Sequence, residues 1–111
     1  MADLGFTEMQ QMQRELQEQY KERWQPLTPE NGKNSLLWLM IELGEAADII
    51  KKEGAQSIMD RPETRAHFVE ELTDVMMYFN DALLAFDISP EELEKAYREK
   101  HERNMSRWAR K

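Results

Sequence analysis

Apolar side chains recur along this chain at intervals of three and four residues, the spacing that places them on one face of an α-helix. The pattern predicts four helices, over about residues 7–24, 34–52, 62–87 and 90–108. No stretch alternates apolar and polar residues as a half-buried strand would, and no internal repeat is visible. We therefore predict an all-α fold, a four-helix bundle with short connections.

Capping residues mark the expected ends of these helices. Thr7 is the expected N-cap of the first helix and Ser89 that of the last, since a hydroxyl can accept from the first free N–H groups. Gly54 follows two lysines and is expected to end the second helix. From there to about Arg61 we expect a polar connection.

Each helix carries an apolar stripe that we expect to face the core. The stripe of the first helix comprises Met9, Met12, Leu16, Tyr20 and Trp24. The stripe of the second comprises Leu36, Leu39, Met40, Leu43, Ala47 and Ile50. For the methionine-rich first stripe, a surface that binds a partner is an equal alternative to core packing. The breadth of the apolar faces favours a bundle completed by dimerisation.

The length and composition narrow the function. One hundred and eleven residues suffice for one domain, residues 1–111, with residues 1–5 as a flexible arm. The 15 Lys and Arg against 22 Asp and Glu give a net charge of −7, which repels nucleic-acid backbones and anionic membranes. The absence of cysteine excludes disulfides, thiolate metal sites and cysteine nucleophiles. Without a leader or a membrane-spanning stretch, we expect a cytoplasmic protein.

Two pairs of acidic residues border apolar stripes instead of lying on a fully polar face. Glu42 and Glu45 are three residues apart in the second helix, and Glu71 and Asp74 in the third. Partly desolvated carboxylates brought together would repel one another, and a bound cation would relieve that repulsion. Oxygen ligands without thiolates or clustered imidazoles suit hard ions, so we expect Mg2+, with Mn2+ as a substitute.

The two histidines are not spaced for a metal site. Thr64 and Arg98 stand three positions before His67 and His101, so the Glu-x-x-His motif of di-iron bundles is absent. We expect both histidines to be surface or packing residues. Because Mg2+ commonly binds through a few carboxylates and substrate phosphates, the acidic pairs favour hydrolysis of a phosphate substrate.

At this point the chain resembles the MazG-like, all-α nucleoside triphosphate pyrophosphohydrolases, whose signature is E-E-x-x-E, a spacer and E-x-x-D. The matching segments are Ile41-Glu42-Leu43-Gly44-Glu45 and, after 25 intervening residues, Glu71-Leu72-Thr73-Asp74. Ile41 stands where that signature has its first glutamate. The family's ending, Lys-x3-Asn-x2-Arg-aromatic, is similar to Lys100, Asn104, Arg107 and Trp108. The resemblance covers about residues 24–108.

The resemblance implies a Mg2+-dependent enzyme that cleaves (d)NTPs to the monophosphate and pyrophosphate, in nucleotide-pool house-cleaning, as a homodimer or tetramer. The metal ligands and catalytic residues that it implies are Glu42, Glu45, Glu71 and Asp74, with Asp48 as an auxiliary candidate. The substrate-binding residues that it implies are Lys100, Asn104, Arg107, Tyr78, Asn34 and Trp24. For this second set, ordinary surface charge and core packing are the competing interpretation.

Two other functions stay open at this point. A phosphoribosyl-ATP pyrophosphohydrolase has, by the same resemblance, a similar scaffold and acidic motifs, so only substrate testing separates it from a (d)NTP enzyme. A non-enzymatic adaptor that dimerises and binds proteins through methionine and tryptophan surfaces would carry its acidic pairs solvated. Stabilisation by a divalent cation distinguishes the enzymes from the adaptor.

Overall fold

The computed structural model of the protein describes residues 3–109, with side chains for residues 3–107. These residues form five helices and no strand, namely α1 (Phe6–Gln19), α2 (Gly32–Glu53), α3 (Ala55–Asp60), α4 (Pro62–Ala85) and α5 (Pro90–Ala109). The predicted all-α fold is confirmed. Residues 1 and 2 of the predicted arm, and the ring of Trp108, lie outside this description. No helix within it is both long enough and apolar enough to cross a bilayer.

The prediction of four helices is wrong by one, because the connection after α2 contains the short helix α3. Gly54 separates the two helices with a φ of 89°, a backbone angle that glycine adopts without strain. The six residues of α3 bury one apolar side chain, that of Ile58. A helix shorter than two turns does not repeat its apolar spacing, so the pattern gave no sign of it.

The expected helix ends are only partly confirmed. Ser89 caps α5, since its Oγ accepts a hydrogen bond from the backbone N–H of Glu92 at 3.1 Å. Thr7 does not cap α1; the N-cap is Gly5, and no side chain bonds to the first turn. α1 also ends early, at Gln19, before the proline-containing connection begins.

α2 and α4 form the most extensive helix pair, and the face that α2 buries is not its most apolar one. Ser35, Ala46 and Ile49 are buried, with Leu39 and Glu42 half-buried between them at helical spacing. The small side chains on this face allow the helices to approach closely. Four large members of the predicted core stripe face outward and are 44 to 63% exposed, namely Leu36, Met40, Leu43 and Ile50. The expectation that the stripe lies in the chain's own core is therefore wrong for these four residues, although Leu39 is half-buried.

Polar side chains attach α1 to α4 and to the connection that follows α4. Gln10 and Gln13 are the buried residues of α1, whereas Met12 of the predicted stripe is 48% exposed. The Nε2 of Gln13 donates to Asp81 Oδ1 at 2.8 Å, and the Nε2 of Gln10 donates to the carbonyl of Ile88 at 3.1 Å. Specific hydrogen bonds, rather than the methionines alone, therefore set the position of α1.

The predicted bundle is not closed within one chain. Among the described residues, the extensive helix pairs are α2 with α4, α1 with α4, α3 with α4 and α2 with α3, and α5 takes part in none of them. On α5, Tyr97 is 74% and Met105 63% exposed. The chain exposes 8963 Å², whereas a compact monomer of 13.3 kDa exposes about 6,500 Å². The exposed surface is therefore larger than that of a compact monomer of the same mass.

Candidate metal centre

The pairing of α2 with α4 brings three carboxylates together. Glu42 and Glu45 lie one turn apart on α2, and Glu71 lies on the facing helix α4. One carboxylate oxygen from each of the three lies within 4.8 Å of the other two. Because Mg2+ binds oxygen at about 2.1 Å, small side-chain movements would let a single cation contact all three side chains.

Glu71 is the buried member of the cluster. The residue is 8% exposed, and its Oε2 has no hydrogen-bond partner among the described residues. Its Oε1 lies 3.3 Å from Nε2 of His67, one turn earlier on α4. Buried carboxylate oxygens are rarely left without a donor or a cation, so Oε2 marks the place where a ligand would be stabilised.

Without a cation, the neighbouring carboxylates raise the pKa of Glu42. The pKa of Glu42 is raised from 4.5 to about 7, first by the hydrogen bond that its protonated carboxyl group can donate to Glu71 and then by burial. The charges of Glu71, Asp74 and Glu45 raise it further. A hydrogen bond between two carboxyl groups requires one of them to keep a proton. At pH 7 about half of the molecules therefore carry a proton on Glu42, and a cation could replace that proton.

Asp74, the fourth predicted ligand, lies near the cluster but outside the group within 4.8 Å. Its charge raises the pKa of both Glu42 and Tyr78, which indicates that it faces the same space. For Tyr78, burial is the largest cause of the raised pKa, ahead of the charges of Glu42, Asp74 and Asp81. Tyr78 was predicted to lie beside the nucleoside, and in the structure it is half-buried and within reach of the charges of the acidic residues.

An aromatic pair borders the acidic cluster. The rings of Trp38 on α2 and Tyr78 on α4 are 5.9 Å apart and tilted by 50°. Trp38 is one turn before Glu42, and its side chain is partly exposed. The sequence interpretation named Trp24 instead; the spacing of Trp38 to Glu42 was the available signal.

An open groove of about 770 Å³ adjoins the cluster on its other side. Its lining includes Glu45 from the cluster, His67 from α4, and Asp48 and Lys52 from α2. Asp48, the auxiliary candidate, forms a salt bridge with Lys52 at 2.9 Å, so its charge is already balanced by the lysine ammonium group. Sequence reasoning assigned no role to Lys52 or His67, although the four-residue spacing between His67 and Glu71 was visible.

The predicted phosphate-binding residues are gathered on α5, apart from the carboxylates. Lys100, Asn104 and Arg107 line a shallow pocket of about 540 Å³, whose described lining belongs to α5 alone. An Nη2 hydrogen of Arg107 points to Asn104 Oδ1 at 3.4 Å. Because α5 joins no extensive helix pair among the described residues, the structure does not bring these side chains to the acidic cluster within one chain.

Trp24 lies in the connection between α1 and α2, and Asn34 lies in the first turn of α2. The ring of Trp24 stacks on Tyr20 with centroids 4.7 Å apart, and it lines a separate pocket of about 380 Å³. The Nδ2 of Asn34 donates to Gln25 Oε1 at 2.8 Å. The described lining of the Trp24 pocket contains none of the cluster's carboxylates, so the structure does not bring Trp24 to the metal centre.

Comparison of the chain with models of protein families, with curated proteins and with solved structures finds no match. What the site can do is therefore inferred from its own residues. The ligand atoms are carboxylate oxygens from two helices, one of them buried and without a partner among the described residues. That donor set suits a hard divalent cation, and the adjoining groove leaves room for a polar molecule beside it.

Proposed function

We propose that the protein is a Mg2+-dependent nucleoside triphosphate pyrophosphohydrolase that converts (d)NTP and water to (d)NMP and pyrophosphate, with Mn2+ as a substitute cation. The observation that carries the proposal is the group of three carboxylates within 4.8 Å, in which the buried Oε2 of Glu71 has no partner among the described residues. The resemblance of the acidic motifs to MazG-like enzymes supports the choice of reaction. We place this activity in the cytoplasm, acting on the nucleotide pool.

The need for a cation follows from the repulsion inside the cluster. At 4.8 Å, the upper limit of the separation between these oxygens, two charged carboxylates repel by about 1 kcal/mol at the dielectric constant of water and by about 3.5 kcal/mol at an effective value of 20. A divalent ion replaces that repulsion by attraction. When bound, it would neutralise substrate phosphates and orient a water molecule for attack. Glu42, Glu45 and Glu71 would hold it, and Asp74 is the proposed fourth ligand.

The proposed substrate site needs a second copy of the chain. Lys100, Asn104 and Arg107 suit a triphosphate, because they offer cationic and amide donors, yet they lie on a helix that does not pack beside the carboxylates of its own chain. We infer a homodimer, or a tetramer built from dimers, in which α5 of one chain reaches the acidic cluster of another.

The exposed stripe on α2 supports this assembly. The chain exposes about 2,500 Å² more than a compact monomer of its mass, a size that fits one side of an extensive homodimer interface. A charge placed on the stripe, Met40→Lys, should dissociate the oligomer in light-scattering measurements. Met59→Lys is the matched control, since Met59 is as exposed but lies on α3. An unchanged mass for Met40→Lys would argue against this interface.

The reaction itself is tested with purified protein and a panel of canonical and modified (d)NTPs and phosphoribosyl-ATP, with Mg2+ or with EDTA. Anion exchange separates the products. We expect monophosphate and pyrophosphate, formed only with the metal and lost in Glu71→Gln but not in Glu70→Gln, a control that removes an exposed charge from the adjacent position. Diphosphate and phosphate as products would contradict the proposal, and turnover of phosphoribosyl-ATP alone would favour the histidine-pathway relative.

A second candidate, a helical adaptor, is favoured by one observation, the exposed apolar stripe of α2. An adaptor needs no cation, so Mg2+ and Mn2+ should then leave its melting temperature unchanged. The buried Oε2 of Glu71 has no partner among the described residues and favours the enzyme, because burying an unpaired oxygen would only destabilise an adaptor.

A further inference from the structure

His67 and Glu71 lie one turn apart on the same face of α4. The Nε2 of His67 is 3.3 Å from Oε1 of Glu71, slightly beyond the usual length of a formed hydrogen bond. The side chain of His67 is 60% exposed and that of Glu71 only 11%. The imidazole therefore lies on the solvent side of the buried carboxylate, where His67 and Glu45 line the same groove.

The two oxygens of Glu71 have different surroundings. Oε1 faces the imidazole nitrogen, whereas Oε2 is buried and without a partner among the described residues. A cation that approaches the three carboxylates therefore finds Oε2 as the free oxygen of Glu71. In metal sites, carboxylate ligands are generally held in place by hydrogen bonds from neighbouring groups.

We propose that His67 is a positioning residue for Glu71, whose Nε2–H holds Oε1 so that Oε2 is presented to the divalent cation. The inference rests on the metal centre of the proposed function. A small ring rotation closes the 3.3 Å separation, as hydrogen bonds in a site commonly tighten when a ligand binds. Neutral imidazole suffices, because the Nε2–H tautomer donates without a positive charge. In this role His67 acts through Glu71 and is not itself a ligand of the cation.

The affinity of the full chain for Mn2+ alone tests this role. Unbound Mn2+ is counted by electron paramagnetic resonance during titrations at pH 8 of the wild type, His67→Ala, His67→Gln and His101→Ala. We expect His67→Ala to raise the Kd by about tenfold or more, the usual effect of losing such a partner. His67→Gln keeps an N–H donor one turn from Glu71, and His101→Ala removes an exposed imidazole on α5. Both should stay within about twofold of the wild type.

Each alternative gives a different result. An unchanged Kd in His67→Ala, with or without a lowered melting temperature of the metal-free variant, shows a structural role only and overturns the proposal. If His67→Gln binds as weakly as the alanine variant, the N–H donor is not what matters, and the proposal also fails. A wild-type chain that binds no Mn2+ overturns the metal centre together with the role of His67. Because no nucleotide is present, failure of the hydrolysis assay alone leaves the titration result intact.

Discussion

Replacing Glu71 by glutamine separates the two effects of the acidic cluster on stability. The substitution removes one charge from a group of three carboxylates within 4.8 Å, and it keeps the size of the side chain and an acceptor oxygen for His67. Without metal, the charge of Glu71 repels Glu42 and Glu45. With metal, the same charge contributes to binding. Glu71→Gln should therefore stabilise the metal-free protein and abolish its stabilisation by metal.

The expected gain without metal follows from the geometry. Repulsion at 4.8 Å is about 1 to 3.5 kcal/mol for a pair, depending on the effective dielectric constant. Since Glu42 is only half-buried, we expect about 1 to 2 kcal/mol at pH 8. For a chain of 111 residues, each kcal/mol shifts Tm by about 4 °C, so Glu71→Gln should melt about 4 to 8 °C higher than the wild type.

The gain should depend on pH with a definite sign. Since folding raises the pKa of Glu42 from 4.5 to about 7, the wild type binds more protons folded than unfolded between these values. The contribution of Glu42 to the metal-free stability is therefore highest below pH 4.5 and is lost as the pH rises through 7. Glu71→Gln removes the largest cause of the raised pKa, so its advantage should be large at pH 8 and small at pH 5.

Melts followed by circular dichroism, at one protein concentration and at both pH values, measure these effects with MnCl2 or with EDTA. Mn2+ at 100 times its Kd stabilises by about 2.7 kcal/mol, which corresponds to about 11 °C here. Glu71→Gln should lose this rise, and Glu70→Gln, an exposed neighbour, should keep it. A Glu71→Gln variant that melts lower at pH 8 without metal would refute the repulsion, and one that keeps the rise would remove Glu71 from the metal centre.

Three further predictions concern two glycines of α2, the bond between Gln13 and Asp81, and the proton on Glu42. Gly32→Ala should lower stability by about 1 kcal/mol or more, because a Cβ at this position would lie 2.3 Å from the ring of Phe86. Gly44→Ala, where a Cβ meets nothing within 4 Å, should raise it by about 0.5 to 1 kcal/mol; urea unfolding of both measures the difference. Gln13→Leu should lower the free energy of unfolding by about 1 to 3 kcal/mol, since it leaves buried Asp81 without its hydrogen-bond donor. The control Gln11→Leu, at an exposed position, should leave the stability unchanged. Calorimetry in buffers of different ionisation enthalpy should detect protons released from Glu42 when Mn2+ binds at about pH 6.5, and a heat independent of the buffer would contradict this.

How much the sequence predicts differs between the backbone and the faces of the helices. The long helices and the cap at Ser89 follow from local spacing and capping chemistry, so they were predictable. The burial of Gln10 and Gln13 was not, because a glutamine is buried only where a particular partner across the interface satisfies it. The short helix α3 was not predictable either, because six residues are too few to repeat an apolar spacing.

The site follows the same division. Glu42, Glu45 and Glu71 could be grouped from their spacing, since the acids of two paired helices meet if those faces are in contact. The distribution of apolar residues pointed to another α2 face, through Leu36 and Met40, as the one that faces the core. A periodic pattern identifies the apolar face but not whether that face packs within one chain or against another.

The misplaced stripe and the acidic cluster have one physical explanation. If α2 used its apolar stripe to pack on α4, Glu42 would turn into solvent, and the pKa of Glu42 would have no cause to rise. The chain instead buries a face of small side chains with Glu42 among them, opposite Glu71, and leaves Leu36, Met40 and Leu43 exposed. Burial of acids against each other costs stability in a monomer without metal. A cation at the carboxylates and a second chain on the stripe would each offset that cost, so we expect metal binding and oligomerisation to stabilise this fold together.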